Sequence, residues 1–460
     1  MGVAVKDFTR GRWLWVVGIV AAIAIVGLVS VADPLPVAER ASDRRPLPFA
    51  GRALLIASDG DMVGTAYSDG KLNRLSGIED ALTVIDLPLP AAASKVASVA
   101  VSNSVMSWPQ ILATAPDGSR AYVVEVRGRP PQGVQEYADL DTGMPTGSLL
   151  TVVDLTHPGG PTVLETVPVG RNPRQIAISP DGRLLAIGVE EPGRELLLVE
   201  LVAGRPGRRF SYAIADASGQ SARITSVGWH PSGRFLALNL NDREMAFFEV
   251  LTDQKAATAT LRPQGERLVT GVRLGVGRFS PDGRHYLLTD LKWGERPLGY
   301  LLNPRGELIA VRFDAGPALG AKHRVVCRIE VGLSPEGFAV SPDGLLVATV
   351  NMRRTYLPDW LPVWPGKARS SLSLVKRNPQ SGQLTVVGEY GFEGVLPEDA
   401  VFDAAGRALA VAVYHYREPR ASVQNQQLTV EAASSFLETT STSFAYAAFC
   451  LAAASGTLTR

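Results

Sequence analysis

The chain has 460 residues, of which 46% are hydrophobic and 20% charged, with a formal net charge of +1. That balance supplies apolar matter for a large core and excludes a disordered polyelectrolyte. The near-neutral charge leaves no electrostatic footprint for nucleic acid, and two cysteines, Cys327 and Cys450, are too few for a disulfide framework.

Residues 13–32 are almost continuously apolar, long enough for a bilayer span of about 20 residues. Lys6, Arg10 and Arg12 precede them, and Ser30-Val31-Ala32 offers the small residues of a cleavage site. The segment is expected to be one N-terminal transmembrane or signal helix that anchors the protein or is cleaved after Ala32. Arginines at 40, 44 and 45 on its other side leave charge bias neutral as to topology. Residues 33–48, rich in proline and charge, read as an extended linker. The folded domain is expected over 49–460.

Strands are predicted at 53–57, 81–86 and 96–101. From Gln110 onward one unit recurs. A short apolar run enters a turn such as Pro180-Asp181-Gly182, and a second run returns, as at Leu184 to Ile187. Proline presets φ and glycine takes the φ > 0 position. Equivalent turns end at Gly118, Gly182, Gly233, Gly283, Gly344 and Gly406, in steps of 64, 51, 50, 61 and 62 residues. Each step accommodates four short strands and a variable loop, more than the roughly 40–45 residues of a WD-type blade. Third strands read at Leu149 to Asp154 and Glu195 to Glu200, and a fourth at Thr162 to Val167. The fold class is therefore all-β. The expected architecture is a seven-bladed β-propeller of four-stranded blades, in which the N- and C-terminal pieces complete one shared blade and remove its edges.

Val169-Gly170, Pro173 and the run Ile176 to Gly182 resemble the signature of YVTN-type repeat propellers and the wider lactonase-like seven-bladed family. Val331-Gly332, Pro335 and Phe338 to Gly344 repeat it, and Ser381 to Val387 is similar to the outer hairpin of the lactonase-like members. The resemblance covers roughly residues 50–460. It implies either an extracytoplasmic propeller without a known reaction or an enzyme such as a 6-phosphogluconolactonase or a muconate-lactonising enzyme.

In each module the inner strand starts, and the second strand returns, at the rim opposite the Pro-Asp-Gly turn. That face is expected to carry Gln110, Glu125, Arg174, Glu190, Asn241, Asp290, Glu336, Asn351, Glu398, Asp399 and His415. The long insertions 127–147 and 353–369 fall on it too, the second with Tyr356, Trp360 and Trp364 between prolines. Those rings either form a contact surface or plug the channel. Glu398 and His415 are expected as exposed rim residues central to the site. Like charges crowded in a funnel raise one another's pKa unless a cation intervenes, and Arg174 is one candidate cation.

No metalloprotease helix, Cys-x-x-Cys, phosphate loop or nucleophile elbow occurs. Asp139 to Gly143 hints at a calcium loop, but its twelfth position is Leu150 rather than a bidentate glutamate. No metal and no cofactor are expected. Hydrolysis of a lactone needs a base and groups that stabilise an oxyanion, for which Glu398, His415, Glu336 and Arg174 are the available catalytic set. The histidines typical of the lactonase enzymes at the inner-strand starts are absent. Those positions read Trp108-Pro109-Gln110, Asn172-Pro173-Arg174 and Leu396-Pro397-Glu398. The leading expectation is a monomeric, membrane-tethered, extracytoplasmic module that binds a small molecule or a protein through the channel mouth. The alternative is a lactonase-like hydrolase or isomerase acting on a lactone or sugar acid.

Overall fold

In the computed structural model, the described residues are 18 and 49–454, apart from 65, 75–78, 88–95, 105, 254–257, 295–302, 358–368, 416–428 and 433–449. The expected N-terminal helix and linker lie outside them, except for Gly18. Among the described residues no helix is long and apolar enough to cross a membrane.

The chain folds as a β-propeller. Its innermost strands are Leu112–Thr114, Gln175–Ile178, Ile224–Trp229, Leu274–Phe279, Pro335–Val340, Val395–Phe402 and Cys450–Ala454, each lying against the next around the ring. Every pairing within a sheet is antiparallel, as successive hairpins require. Burial falls from the axis outward. The inner strand Ile224–Trp229 and its neighbour Phe235–Leu240 are buried throughout. The outermost strand Thr162–Pro168 exposes alternate residues, the pattern of a sheet with one wet face.

Six blades are complete, with four or more strands each, not the seven expected. The remaining sheet, Val395–Phe402, Ala408–His415 and Thr429–Ala432, has three strands among the described residues. The reason lies in how the ring closes. The last strand, Cys450–Ala454, does not extend that sheet outward. It pairs instead with Ala53–Ser58 and becomes the inner strand of the N-terminal sheet.

The repeated turn also explains how the blades pack. Gly182 has a φ of 70°, a conformation without steric cost only for glycine. A Cβ there would stand 3.1 Å from Cδ of Pro116, the proline of the preceding turn, and Gly344 meets Pro281 in the same way at 3.3 Å. The proline and the glycine of the motif thus serve neighbouring blades. At Gly283 the ring of His230 takes the proline's place and packs edge-on against Phe279, 4.9 Å between centroids.

Candidate functional site

At the rim opposite these turns the ends of the inner strands surround a cavity of about 710 Å³. Side chains two residues apart on a strand share a face, and the lining follows that rule. Arg174, Thr225, Glu336 and Glu398 stand eight residues before their turn glycines, and Trp108, Arg223, Arg273 and Leu396 stand ten before theirs. The short helices Ala66–Asp69 and Leu140–Gly143 complete the wall together with Trp293, Met352, Tyr356 and Leu357.

The charges are segregated around the mouth. Arg174, Arg223 and Arg273 enter from three consecutive blades, and Glu336 and Glu398 from the two that follow. Carboxylates hold each guanidinium in place. Arg174 Nε donates to Glu190 Oε1 at 2.5 Å, and its Nη1 to the Met106 carbonyl at 3.0 Å. Arg223 and Arg273 both bond Asp242, the latter at 2.7 Å. Arg273 also lies over the Trp108 ring, 5.7 Å from its centroid, and its Nε has no hydrogen-bond partner. Planar forks fixed in this manner present their remaining N–H groups for bidentate recognition of a carboxylate or phosphate.

On the acidic side Glu336, Glu398 and Asp399 are 5%, 2% and 1% exposed. Asp399 Oδ2 accepts from Arg278 Nη2 at 2.5 Å, while Glu398 Oε2 and Asp399 Oδ1 are buried without a hydrogen-bond partner. Burial pushes the Glu336 carboxyl well above the ordinary range, and the charges of Glu398 and Asp399 push it further against the pull of Arg273. Burial, then Asp399 and Asp59, raise Glu398 likewise. Burial also lifts Asp399, but the opposing Arg278 limits it to about 6. Glu336 and Glu398 therefore favour the protonated form at neutral pH and can give a proton to a leaving group, whereas Asp399, paired with Arg278, is mostly ionised there. Gly337 lets the two acid-bearing inner strands meet, since a Cβ there would collide with the Glu398 carbonyl oxygen.

The structure brings together Arg174, Glu336, Glu398 and Tyr356 of the residues expected from sequence. The burial of Glu398 corrects its expected place on an exposed rim: neighbouring inner strands cover it. Tyr356 is 4% exposed and packs on Trp293. Trp360 and Trp364 lie outside the described residues. His415 ends its strand opposite Val395, and its side chain is likewise outside the description. The others are occupied in the scaffold. Gln110 accepts from Ser226 Oγ at 2.7 Å and from the Val227 N–H at 3.1 Å, joining non-adjacent inner strands. Glu125 accepts from Ser102 and from the Ser148 N–H. Glu190 positions Arg174. Asn241 caps Arg223 through its backbone N–H. Asp290 accepts from the N–H groups of Val272, Arg273 and Lys292. Asn351 is buried on Ser371 and Ser373, and Asp399 is held by Arg278 behind the wall. Sequence reasoning missed Arg223, Arg273 and Thr225, although the same-parity spacing from the turn glycines marks them.

No protein-family model and no curated protein matches the chain. Solved structures do. The periplasmic gluconolactonase of Pseudomonas aeruginosa is similar at a TM-score of 0.56 and 19% identity, over 87% of this chain and 97% of that one. A candidate 6-phosphogluconolactonase of Bacteroides uniformis is similar at 0.53 and 17%, over 88% and 96%. A protein of unknown function from Desulfotomaculum acetoxidans is similar at 0.54 and 11%, over 84% and 93%. At these identities the likeness establishes the propeller fold.

Proposed function

We propose that this propeller is a lactonase-like hydrolase that opens the lactone of a small polyhydroxylated acid in the channel-mouth cavity. The observation that carries the reading is the pair of buried, proton-holding carboxyls, Glu336 and Glu398, facing an arc of three arginines across one cavity of substrate size. Once a single proton is shared by the pair, one carboxylate can take a proton from water as it attacks the lactone carbonyl. The other, still protonated, gives its proton to the ring oxygen as the acyl C–O bond breaks. Water adds, the ring opens, and a hydroxy acid results. The arginine arc faces the oxyanion and then the new carboxylate. Two solved relatives in fold are described as a gluconolactonase and a candidate 6-phosphogluconolactonase, which favours this reading over binding without chemistry.

The purely binding alternative is favoured by one feature: each arginine already bonds a carboxylate, which suits a passive anion site. A pH-stat assay with sugar lactones separates the two. Turnover that Glu398→Gln and Glu336→Gln abolish supports hydrolysis. Saturable binding of sugar acids with no turnover of any lactone supports the binding module. Residues 13–32 would place the propeller outside the cytoplasm, tethered to a membrane or released after Ala32, acting as a monomer on a small molecule. Alkaline phosphatase fused after Arg460 should then be active, and an inactive fusion would reverse the topology.

A further inference from the structure

Outside the cavity, the first hairpin of the propeller ends in three carboxylates. Asp59 and Asp61 follow the strand Ala53–Ser58, and Asp80 precedes its partner Ala81–Asp86. Because Ser58 pairs with Ala81, the two segments meet at one end of the hairpin. One oxygen from each of the three carboxylates lies within 4.8 Å of the others. Backbone N–H groups fix their orientation: Asp61 donates to Asp59 Oδ1 at 2.7 Å, Gly60 to Asp80 Oδ1 at 2.9 Å, and Asn103 to Asp80 Oδ2 at 3.1 Å.

A second observation separates this group from an ordinary acidic turn. Asp61 is 1% exposed and its Oδ2 is buried with no hydrogen-bond partner. A buried carboxylate oxygen without a donor is costly unless something positive meets it. The guanidinium of Arg129 lies 3.7 Å from Asp61 Oδ1 on a side chain 58% exposed and also within reach of Glu79. The charge of Arg74 reaches Asp61 too, but that guanidinium donates to the Val134 carbonyl at 2.8 Å. Neither meets Asp61 Oδ2.

We propose that Asp59, Asp61 and Asp80 form a binding site for a hard divalent cation, calcium in preference to magnesium. All three donors are oxygens, which suit calcium, magnesium or manganese and not soft metals. Carboxylates contributed by a turn and a strand start, with solvent reaching Asp59 and Asp80, match calcium's tolerance of irregular geometry better than the strict octahedron of magnesium. The bound ion would cross-link the two strands of the first hairpin, one of which receives the closing C-terminal strand.

The test uses the full chain, stripped with a chelator and titrated by calorimetry with calcium, magnesium and manganese at physiological salt. Thermal unfolding is followed in parallel. One calcium per chain should bind, more tightly than magnesium, and raise the unfolding midpoint by a few degrees. Asp61→Asn should weaken calcium binding by at least about tenfold, as loss of a ligand is no milder than loss of its supporting shell, and should abolish the calcium-dependent shift. Should Asp61→Asn not fold, Asp59→Asn, on a half-exposed residue, gives the same comparison. Absence of saturable calcium binding in the millimolar range overturns the proposal. So does binding that these variants leave unchanged, or a preference for magnesium.

Discussion

The two rims of the propeller both bury charge, and they treat it in opposite ways. At the turn rim Arg377 is 2% exposed, and each of its three side-chain nitrogens is hydrogen-bonded. Nε donates to the Gly344 carbonyl at 2.7 Å, Nη1 meets His285 Nδ1 at 2.9 Å, and Nη2 donates to Asp282 Oδ2 at 2.9 Å. Burial opposes the charge of Asp282, yet hydrogen bonds from Ser280 and Arg377 hold its carboxyl below the ordinary range. Burial and the neighbouring Arg377 push His285 down to about 4, so the ring is neutral and accepts. At the channel mouth Glu398 and Asp399 are as buried, yet each has an oxygen without a partner. At the turn rim the orphan is one neutral ring atom, His285 Nε2, whereas at the mouth it is carboxyl oxygens that lack a partner; buried charge whose bonds are made fixes a structure, and acids left with orphaned oxygens mark a candidate site.

This contrast is most strongly tested by Glu398→Gln. The change keeps the shape of the side chain and removes an acid whose ionisation the fold disfavours. Lactone turnover should fall about 10²–10⁴-fold, with the unfolding midpoint unchanged or higher. A loss of stability comparable to that of a core mutation would place Glu398 with the turn-rim network. Arg377→Ala should do the reverse, costing about 3 kcal/mol in urea unfolding, since it leaves Asp282 and His285 without their partner. A cost below about 1 kcal/mol would dissolve the distinction. Arg273→Met is expected to weaken binding of a sugar acid roughly tenfold by removing charge-assisted hydrogen bonds, with little effect on the midpoint. Equal affinity would move the anion site off the arginine arc.

The smallest effect is in the pH dependence. Glu336 and Glu398 bind protons more tightly in the folded chain than in the unfolded one. Their contribution is complete below the ordinary glutamate value of 4.5 and is lost as pH rises through the folded values. His285 has the opposite sign: its contribution is complete above 6.5 and is lost as pH falls toward about 4. From about pH 7 to about pH 9 the histidine is therefore silent, and stability should decline with rising pH. The decline should be shallower in Glu398→Gln. It should not vanish, because Asp61, raised to about 8, still titrates in the same window. Parallel slopes for the two proteins would show that Glu398 is ionised in the native state.

The fold was legible because the turn is a local device with a fixed chemistry. Ser179, Asp181 and Gly182 make their own hydrogen bonds within the turn, Ser179 Oγ to Asp181 Oδ1 at 2.6 Å and Gly182 N to the Ser179 carbonyl at 2.8 Å, and Pro-Asp-Gly recurs at Gly118, Gly182, Gly283 and Gly344, with variants at Gly233 and Gly406. The mouth has no such constraint. Arg174, Glu336 and Glu398 could be found by counting back from the turns. Glu125, Asp290 and Asn351 satisfied the same count of faces, yet are spent on backbone and side-chain bonds. Their partners come from other parts of the chain, such as the Ser148 N–H that donates to Glu125 and the Ser373 Oγ that accepts from Asn351, and nothing in the local sequence announces them. Arg223 and Arg273 stand ten residues before their turn glycines, one alternation further out than Arg174, Glu336 and Glu398 at eight, and so fall beyond the inner-strand starts from which the face was counted.

The way the ring closes has a consequence for the chain as it is synthesised. Ala53–Ser58 is buried along its whole length, flanked by Ala81–Asp86 on one side and Cys450–Ala454 on the other. It is among the first strands to be made, and its inner partner among the last. At a translation rate of roughly 5–20 residues per second, an edge of Ala53, Leu54, Leu55 and Ile56 stays unpaired for roughly 20–80 s on the ribosome. Such an edge invites pairing with other chains. The ring therefore cannot close until its C-terminal strand has been made and has paired with a strand synthesised near the beginning of the chain.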